Sequence, residues 1–247
     1  MGRGVWQPVR MVSGSPLFVL VHSPLLGPST WEWVARELEQ RGRLAVVPSL
    51  LANAVAPAPG WREACKTIAV SSHNAAGVVL VGHSAAGTLL PAIAESIPVD
   101  VTGMVFVDAF LPPASGTAPL VPATYIDELK ALAIDGVLPP WSSWFGDEVM
   151  RDLLPDLARR VHVEHDMPRL ALSSLQVELP IPSGWDRRSC AYLLLSAEPY
   201  AASAADARVR GWPVAEAEGG KHLDVVRRPA AVATALLDLE RAMSNRA

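Results

Sequence analysis

The chain has 247 residues, of which 50% are hydrophobic and 19% charged, with a formal net charge of -4. That composition supports a large buried core and excludes the disordered class. The mildly acidic balance, without clustered Lys or Arg, excludes nucleic acid and an anionic membrane surface as partners and leaves a small, mostly apolar substrate molecule.

The first stretch, Met1 to Val12, lacks the continuous apolar segment and small-residue cleavage site of a secretory signal. The apolar run at 17–21 is bounded by Ser-Gly-Ser-Pro and His-Ser-Pro, so it is expected as a strand buried on both faces. It is too short to span a bilayer. Few residues precede it, so an opening antiparallel hairpin is expected to be abbreviated or missing, leaving six or seven strands. Ser29-Thr30-Trp31-Glu32 matches a capping box, and Trp31, Val34, Ala35 and Leu38 recur at helical spacing up to Gly42. The alternation continues with strands at 44–47, 78–81 and 104–107 and helices at 61–72 and 85–97. Pro91 should kink the last of these helices, because it removes a backbone donor. Residues 111–188 interrupt the rhythm with Pro112-Pro113, Pro139-Pro140, Trp141, Trp144 and Trp185, and with helical stretches at 124–133 and 147–162. The rhythm resumes with strands at 192–195 and 214–217, a helix at 201–208 and a final helix from Pro229, where proline is well placed at a helix start.

Strands alternating with helices imply crossover connections, and so an α/β fold with a mostly parallel sheet of six to seven strands and helices on both faces. Residues 1–110 and 189–247 are expected to form the core of a single domain. Residues 111–188 are expected to form a helical lid, inserted after the strand ending at Val107 at the sheet edge where ligands bind. Cys65 and Cys190 have neither metal nor redox spacing and read as free buried thiols of a reducing compartment. A cytoplasmic protein, monomeric or homodimeric, is therefore expected.

The candidate chemistry starts where Val78-Val79-Leu80-Val81 runs into Gly82-His83-Ser84-Ala85-Ala86-Gly87. A serine at the apex of a strand-turn-helix bend has a strained backbone, so Gly82 and Ala86 must be small. The strain holds the Ser84 oxygen out of the sheet, and the Ala85 N–H at the helix start points to developing negative charge. A hydroxyl needs a general base, usually a histidine held by a carboxylate. His222 follows the last strand, at the same sheet edge as Ser84. His83 and His22 are placed to line the site without serving as the base, and His73 reads as a solvated helix end. His162-Val163-Glu164-His165-Asp166 lacks a second ligand group at metal spacing and reads as surface polarity. Two carboxylates compete as the third member. Glu198, after the strand at 192–195, is favoured over Asp108, which follows 104–107 and could instead bond loop amides.

These motifs resemble the α/β-hydrolase superfamily, and within it small actinobacterial esterase-like proteins related to plant methylesterases and hydroxynitrile lyases. The likeness rests on Val21-His22-Ser23-Pro24 with Gly27 and Trp31, on Gly82 to Gly87, on Val105 to Pro112, and on Gly219-Gly220-Lys221-His222. The order Ser, acid, His agrees with that superfamily. The resemblance implies a serine hydrolase of small esters, thioesters or lactones that needs no cofactor or metal. It leaves two alternatives: a lyase or cyclase using the same Ser/His pair, and a small-molecule binding protein. A serine at the bend excludes relatives that need a carboxylate or thiol there. One departure is chemical: the superfamily's usual His-Gly after the first strand is His22-Ser23-Pro24 here, and Pro24 offers no N–H, so the second oxyanion donor must come from Ser23 or Leu25, or the hole is remodelled. Trp141 and Trp144 are the expected substrate contacts in the lid.

Overall fold

Odd and even residues of the first strand go to opposite faces of one sheet, and that division organises the whole core. The computed structural model describes residues 14–51, 60–73 and 75–245; the segment Met1 to Val12 lies outside them. In chain order the first half contains β1 (Leu17–Val21), α1 (Ser29–Gln40), β2 (Ala45–Val46), α2 (Gly60–Ser72), β3 (Val78–His83), a 3-10 turn over Ser84–Leu89, α3 (Leu90–Ser96) and β4 (Val101–Val107). An insertion follows, with β5 (Gly116–Pro119), α4 (Ala123–Leu132), β6 (Val137–Leu138), α5 (Asp147–Leu153), α6 (Leu157–His165), β7 (Leu170–Ala171), α7 (Leu172–Leu175) and β8 (Glu178–Ile181). The core resumes with β9 (Cys190–Leu194), α8 (Ala197–Val209), β10 (Val214–Glu216), α9 (Asp224–Arg227) and α10 (Pro229–Ser244).

Six strands form one sheet in the order β10-β9-β4-β3-β1-β2, every neighbouring pair parallel. Among the described residues this meets the expected number. On one face Val19, Leu80, Phe106 and Tyr192 pack with residues of α2, α3 and α8. On the other, Phe18, Leu20, Val81 and Leu193 meet Trp31 and Leu38 of α1 and Leu236 and Leu239 of α10. Each such side chain contributes about 1.5–3 kcal/mol on burial, so both faces need a cover of helices. Because the strands are parallel, the carboxyl ends of β1, β3, β4, β9 and β10 reach the same edge. The connections from β1 and β3 diverge there, which opens the crevice where such sheets bind ligands.

Four local expectations are corrected. Pro91 does not kink a helix: a 3-10 turn covers Ser84–Leu89, and Pro91 is the second residue of the separate α3, where its missing N–H costs little. Ser29 does not cap α1 from its own side chain. Its N–H and hydroxyl both donate to the Asp166 carboxylate, at 3.0 and 2.6 Å, so the insertion caps the core helix. A Cβ on Gly27 would stand 2.1 Å from Asp166, which is why that position is bare. The helix expected over 147–162 is two helices, because Leu154 precedes Pro155 and has non-helical angles. The insertion is also not purely helical: β5 pairs with β8 and β6 with β7, both antiparallel.

No helix among the described residues is long and apolar enough to cross a membrane. Cys65 and Cys190 are both free and buried.

Candidate active site

Strand β3 is buried throughout and delivers Ser84 at its carboxyl end, with φ of 57°. A left-handed backbone at a residue with a Cβ costs about 1–2 kcal/mol, so the surrounding packing must hold it. A Cβ on Gly82 would lie 2.9 Å from Leu90 Cγ, and one on Gly87 would lie 2.5 Å from the Ala109 side chain. The bend therefore needs a third small residue, Gly87, besides Gly82 and Ala86. The turn after Ser84 leaves the Ala85 N–H at its start without an acceptor of its own within the turn. Ser84 and Ala85 line a cavity of about 550 Å³, together with His222.

The carboxylate beside His222 is Asp108. Nδ1 of His222 lies 3.1 Å from Asp108 Oδ2, so Nδ1 carries the proton and Nε2 is left to the cavity side. Asp108 is fully buried and follows β4 directly with φ of 42°. Its oxygens also accept from the Leu195 N–H at 2.5 Å, the Ser196 N–H at 3.0 Å and the Ser196 hydroxyl at 2.5 Å. Burial alone would raise its pKa, but the bonds from His222, Ser196 and Leu195 outweigh burial and hold the carboxyl below its ordinary range. The preference for Glu198 is thus corrected. Glu198 lies past the β9 turn, exposed, and contributes to the cavity wall without bonding His222. Asp108 fulfils both of its possible roles at once, holding loop amides and facing the imidazole.

Two rings flank His222 nearly in parallel: His83 at 4.5 Å and 29°, and Tyr200 at 5.1 Å and 12°. His83 donates from Nε2 to the His222 carbonyl at 3.0 Å, and its buried Nδ1 has no hydrogen-bond partner among the described residues. Burial, with repulsion from His222 added, pushes the His83 pKa down to about 3 against the opposing pull of Asp108. His83 is accordingly neutral. His22 is locked in a similar way. Its Nε2 accepts from the Leu50 N–H at 2.8 Å, and its Nδ1–H donates to the Ser23 carbonyl at 2.8 Å; burial lowers its pKa as well. Neither His22 nor His83 lines the cavity, which corrects their expected substrate contacts. Both stiffen the loops that frame it.

Of the two candidate second oxyanion donors, only Leu25 lines the cavity. Ser23 is fully buried beneath it and accepts from the Leu25 N–H at a long 3.3 Å. Trp141 and Trp144 both line the cavity. Sequence reasoning missed Phe110, Tyr125, Leu129 and Tyr200, which complete an apolar wall drawn largely from the insertion. Two carboxylates, Glu128 and Glu198, also line it, and no Lys or Arg does so among the described residues.

Also among the described residues, no group of three or more His, Cys, Asp or Glu side chains is placed to hold a metal ion. In the stretch from His162 to Asp166, His162 instead meets Glu32 at 3.2 Å and the ring of Trp33, while Asp166 caps α1.

Residues 18–235 match the sequence profile described as the alpha/beta hydrolase family. A search of curated proteins found no match. Among solved structures, an extracellular alpha/beta-hydrolase from a Paenibacillus species, described as sharing structural and functional homology with Tobacco Salicylic Acid Binding Protein 2, is 18% identical with a TM-score of 0.70, covering 91% of this chain and 99% of its own. A pyrethroid hydrolase from Sphingobium faniae is 20% identical with a TM-score of 0.67, covering 93% and 99%. Tomato methylketone synthase I, bound to 2-tridecanone, is 15% identical with a TM-score of 0.64, covering 93% and 99%. At these identities the likeness carries the fold and nothing finer.

Proposed function

The chain belongs to the alpha/beta hydrolase family, and we propose that it is a serine hydrolase that cleaves the ester, thioester or lactone of a small, uncharged apolar molecule through an acyl-enzyme on Ser84. The observation that carries this reading is one cavity that holds Ser84 and His222 together, with Asp108 bonded to the far nitrogen of the imidazole at 3.1 Å.

His222 takes the Ser84 proton on Nε2 as the oxygen attacks the carbonyl carbon. Asp108 holds the ring in the tautomer this requires and stabilises the imidazolium that forms. The Ala85 N–H, with the weakly engaged Leu25 N–H beside it, receives the oxyanion. Collapse of the tetrahedral adduct expels the alcohol, which His222 protonates, and water then releases the acyl group by the same steps. The insertion covers the cavity as a lid with an apolar wall that excludes water, and the protein works in the cytoplasm.

A substrate without negative charge follows from Glu128 and Glu198 at the cavity wall, unopposed by any described cation there. The test compares a neutral butyrate ester with a glutarate monoester of the same alcohol. The neutral ester should be cleaved at least about tenfold faster in kcat/KM, and Ser84→Ala should abolish cleavage of both. Equal activity of Ser84→Ala and wild type would remove the proposal.

Pro24 favours one second reading, a lyase or cyclase that uses Ser84 and His222 as acid and base. With an N–H missing from the oxyanion loop, chemistry without a tetrahedral oxyanion loses less. Under that reading, product analysis finds substrate split or rearranged with no water incorporated.

A further inference from the structure

We propose that Tyr200 is a further catalytic residue, whose phenol donates a hydrogen bond to the departing alcohol oxygen during turnover. The inference rests on Ser84 being the nucleophile, as proposed above.

Three observations place it. The Tyr200 ring stacks on the His222 imidazole with centroids 5.1 Å apart and an interplanar angle of 12°. The residue is 7% exposed, yet it lines the same cavity as Ser84 and His222. The Ser84 hydroxyl is a near neighbour of the phenol and acts to lower its pKa. Burial pushes the phenol upward and outweighs that interaction, so the group keeps its proton and acts as a donor. Phe110 packs on the Tyr200 ring at 5.2 Å, which leaves the ring little freedom to leave the imidazole.

A serine oxygen can donate one proton and accept from others. The serine proton goes to Nε2 of His222. On attack, the Oγ–carbon bond forms, the carbonyl electron pair moves to oxygen and His222 holds the proton. On collapse the bond to the alcohol oxygen breaks and His222 returns the proton to it. Tyr200 keeps its own proton throughout and supplies a hydrogen bond where negative charge gathers on the leaving oxygen. The Ala85 and Leu25 N–H groups serve the carbonyl oxygen and cannot serve this one as well.

Tyr200→Phe keeps the stacked ring and removes the hydroxyl; Tyr200→Leu removes both. Each is compared with wild type on an ethyl ester and on the p-nitrophenyl ester of the same acid, with the rate of Ser84 labelling by a fluorophosphonate as a separate readout. Tyr200→Phe should lower kcat on the ethyl ester about 10- to 100-fold, the worth of one hydrogen bond to a charged oxygen. KM should stay within about twofold, and the p-nitrophenyl ester, whose leaving oxygen needs little help, should lose far less. Tyr200→Leu should lose more on both, since the imidazole also loses its stacked neighbour. Equal loss of Tyr200→Phe on the two esters, or no loss on either, overturns the role of the hydroxyl. A wild-type chain whose Ser84 resists labelling overturns the serine mechanism instead, so the two failures are distinguishable.

Discussion

Asp108 and His222 lie 114 positions apart in the chain and 3.1 Å apart in space, joined through Nδ1 and Oδ2. Asp108 leaves β4, the immediate neighbour of the strand that carries Ser84, while the later carboxylate Glu198 leaves β9, one strand further out.

That relationship predicts unequal effects of two conservative changes. Asp108→Asn keeps the shape but removes the charge that fixes the His222 tautomer, and should lower kcat by about 10³-fold or more. Glu198→Gln should leave kcat on a neutral ester within about threefold. Steady-state kinetics of the two purified variants check this, and the reverse ranking would assign the acid to Glu198.

Strain at Ser84 predicts a stability difference between two variants that lack the hydroxyl. Alanine at position 84 keeps a Cβ at φ of 57°, whereas glycine relieves it. Glycine also loosens the unfolded chain, which takes back part of the gain. Ser84→Gly should therefore be about 0.5–1 kcal/mol more stable than Ser84→Ala in urea unfolding. An alanine variant equal to or more stable than the glycine variant would mean that the bend stores no strain.

His83 predicts how stability depends on pH. Its pKa is about 3 in the folded chain and about 6.5 when unfolded. Above about pH 6.5 neither state is protonated there and the contribution is fully present. As pH falls towards 3, the unfolded chain binds a proton that the folded chain refuses, and stability drops by up to about 1.4 kcal/mol per pH unit. The lowered pKa of His22 adds in the same direction, and the lowered pKa of Asp108 extends the loss to more acid conditions. His83→Gln, which retains an N–H donor for the His222 carbonyl, should lose less stability than wild type between pH 7 and pH 5. Identical losses in urea titrations at the two pH values would contradict a buried neutral His83.

The core was legible because its strands are buried on both faces, so continuous apolar runs such as 17–21 and 78–81 stand out from their Gly- and Pro-bounded flanks. Ser84 and His222 were legible for a related reason: each follows a recognisable strand, and parallel strands end at a common edge. The choice of acid was not, because Asp108 and Glu198 both follow strands at that edge and both fit the chain order. Strand adjacency, the burial of Asp108 and its bond to His222 separate them, and none of these is written in the sequence. The pairings of β5 with β8 and β6 with β7 escaped notice because strands of two to four residues hold too little pattern to read. His22 and His83 were misplaced because a histidine at the strand end that carries the candidate site looks like a ligand contact until its burial is known. Tyr200 was passed over beside Glu198, although its place after β9 at the common edge was signal enough to consider it.

The most direct test of the account is the intact mass of the enzyme quenched during turnover of a slow p-nitrophenyl ester. The account predicts a species heavier by one acyl group, located to Ser84 by peptide mapping and missing from Ser84→Ala. Steady hydrolysis with no adduct on Ser84 in the wild type, and the same turnover in Ser84→Ala, would contradict it.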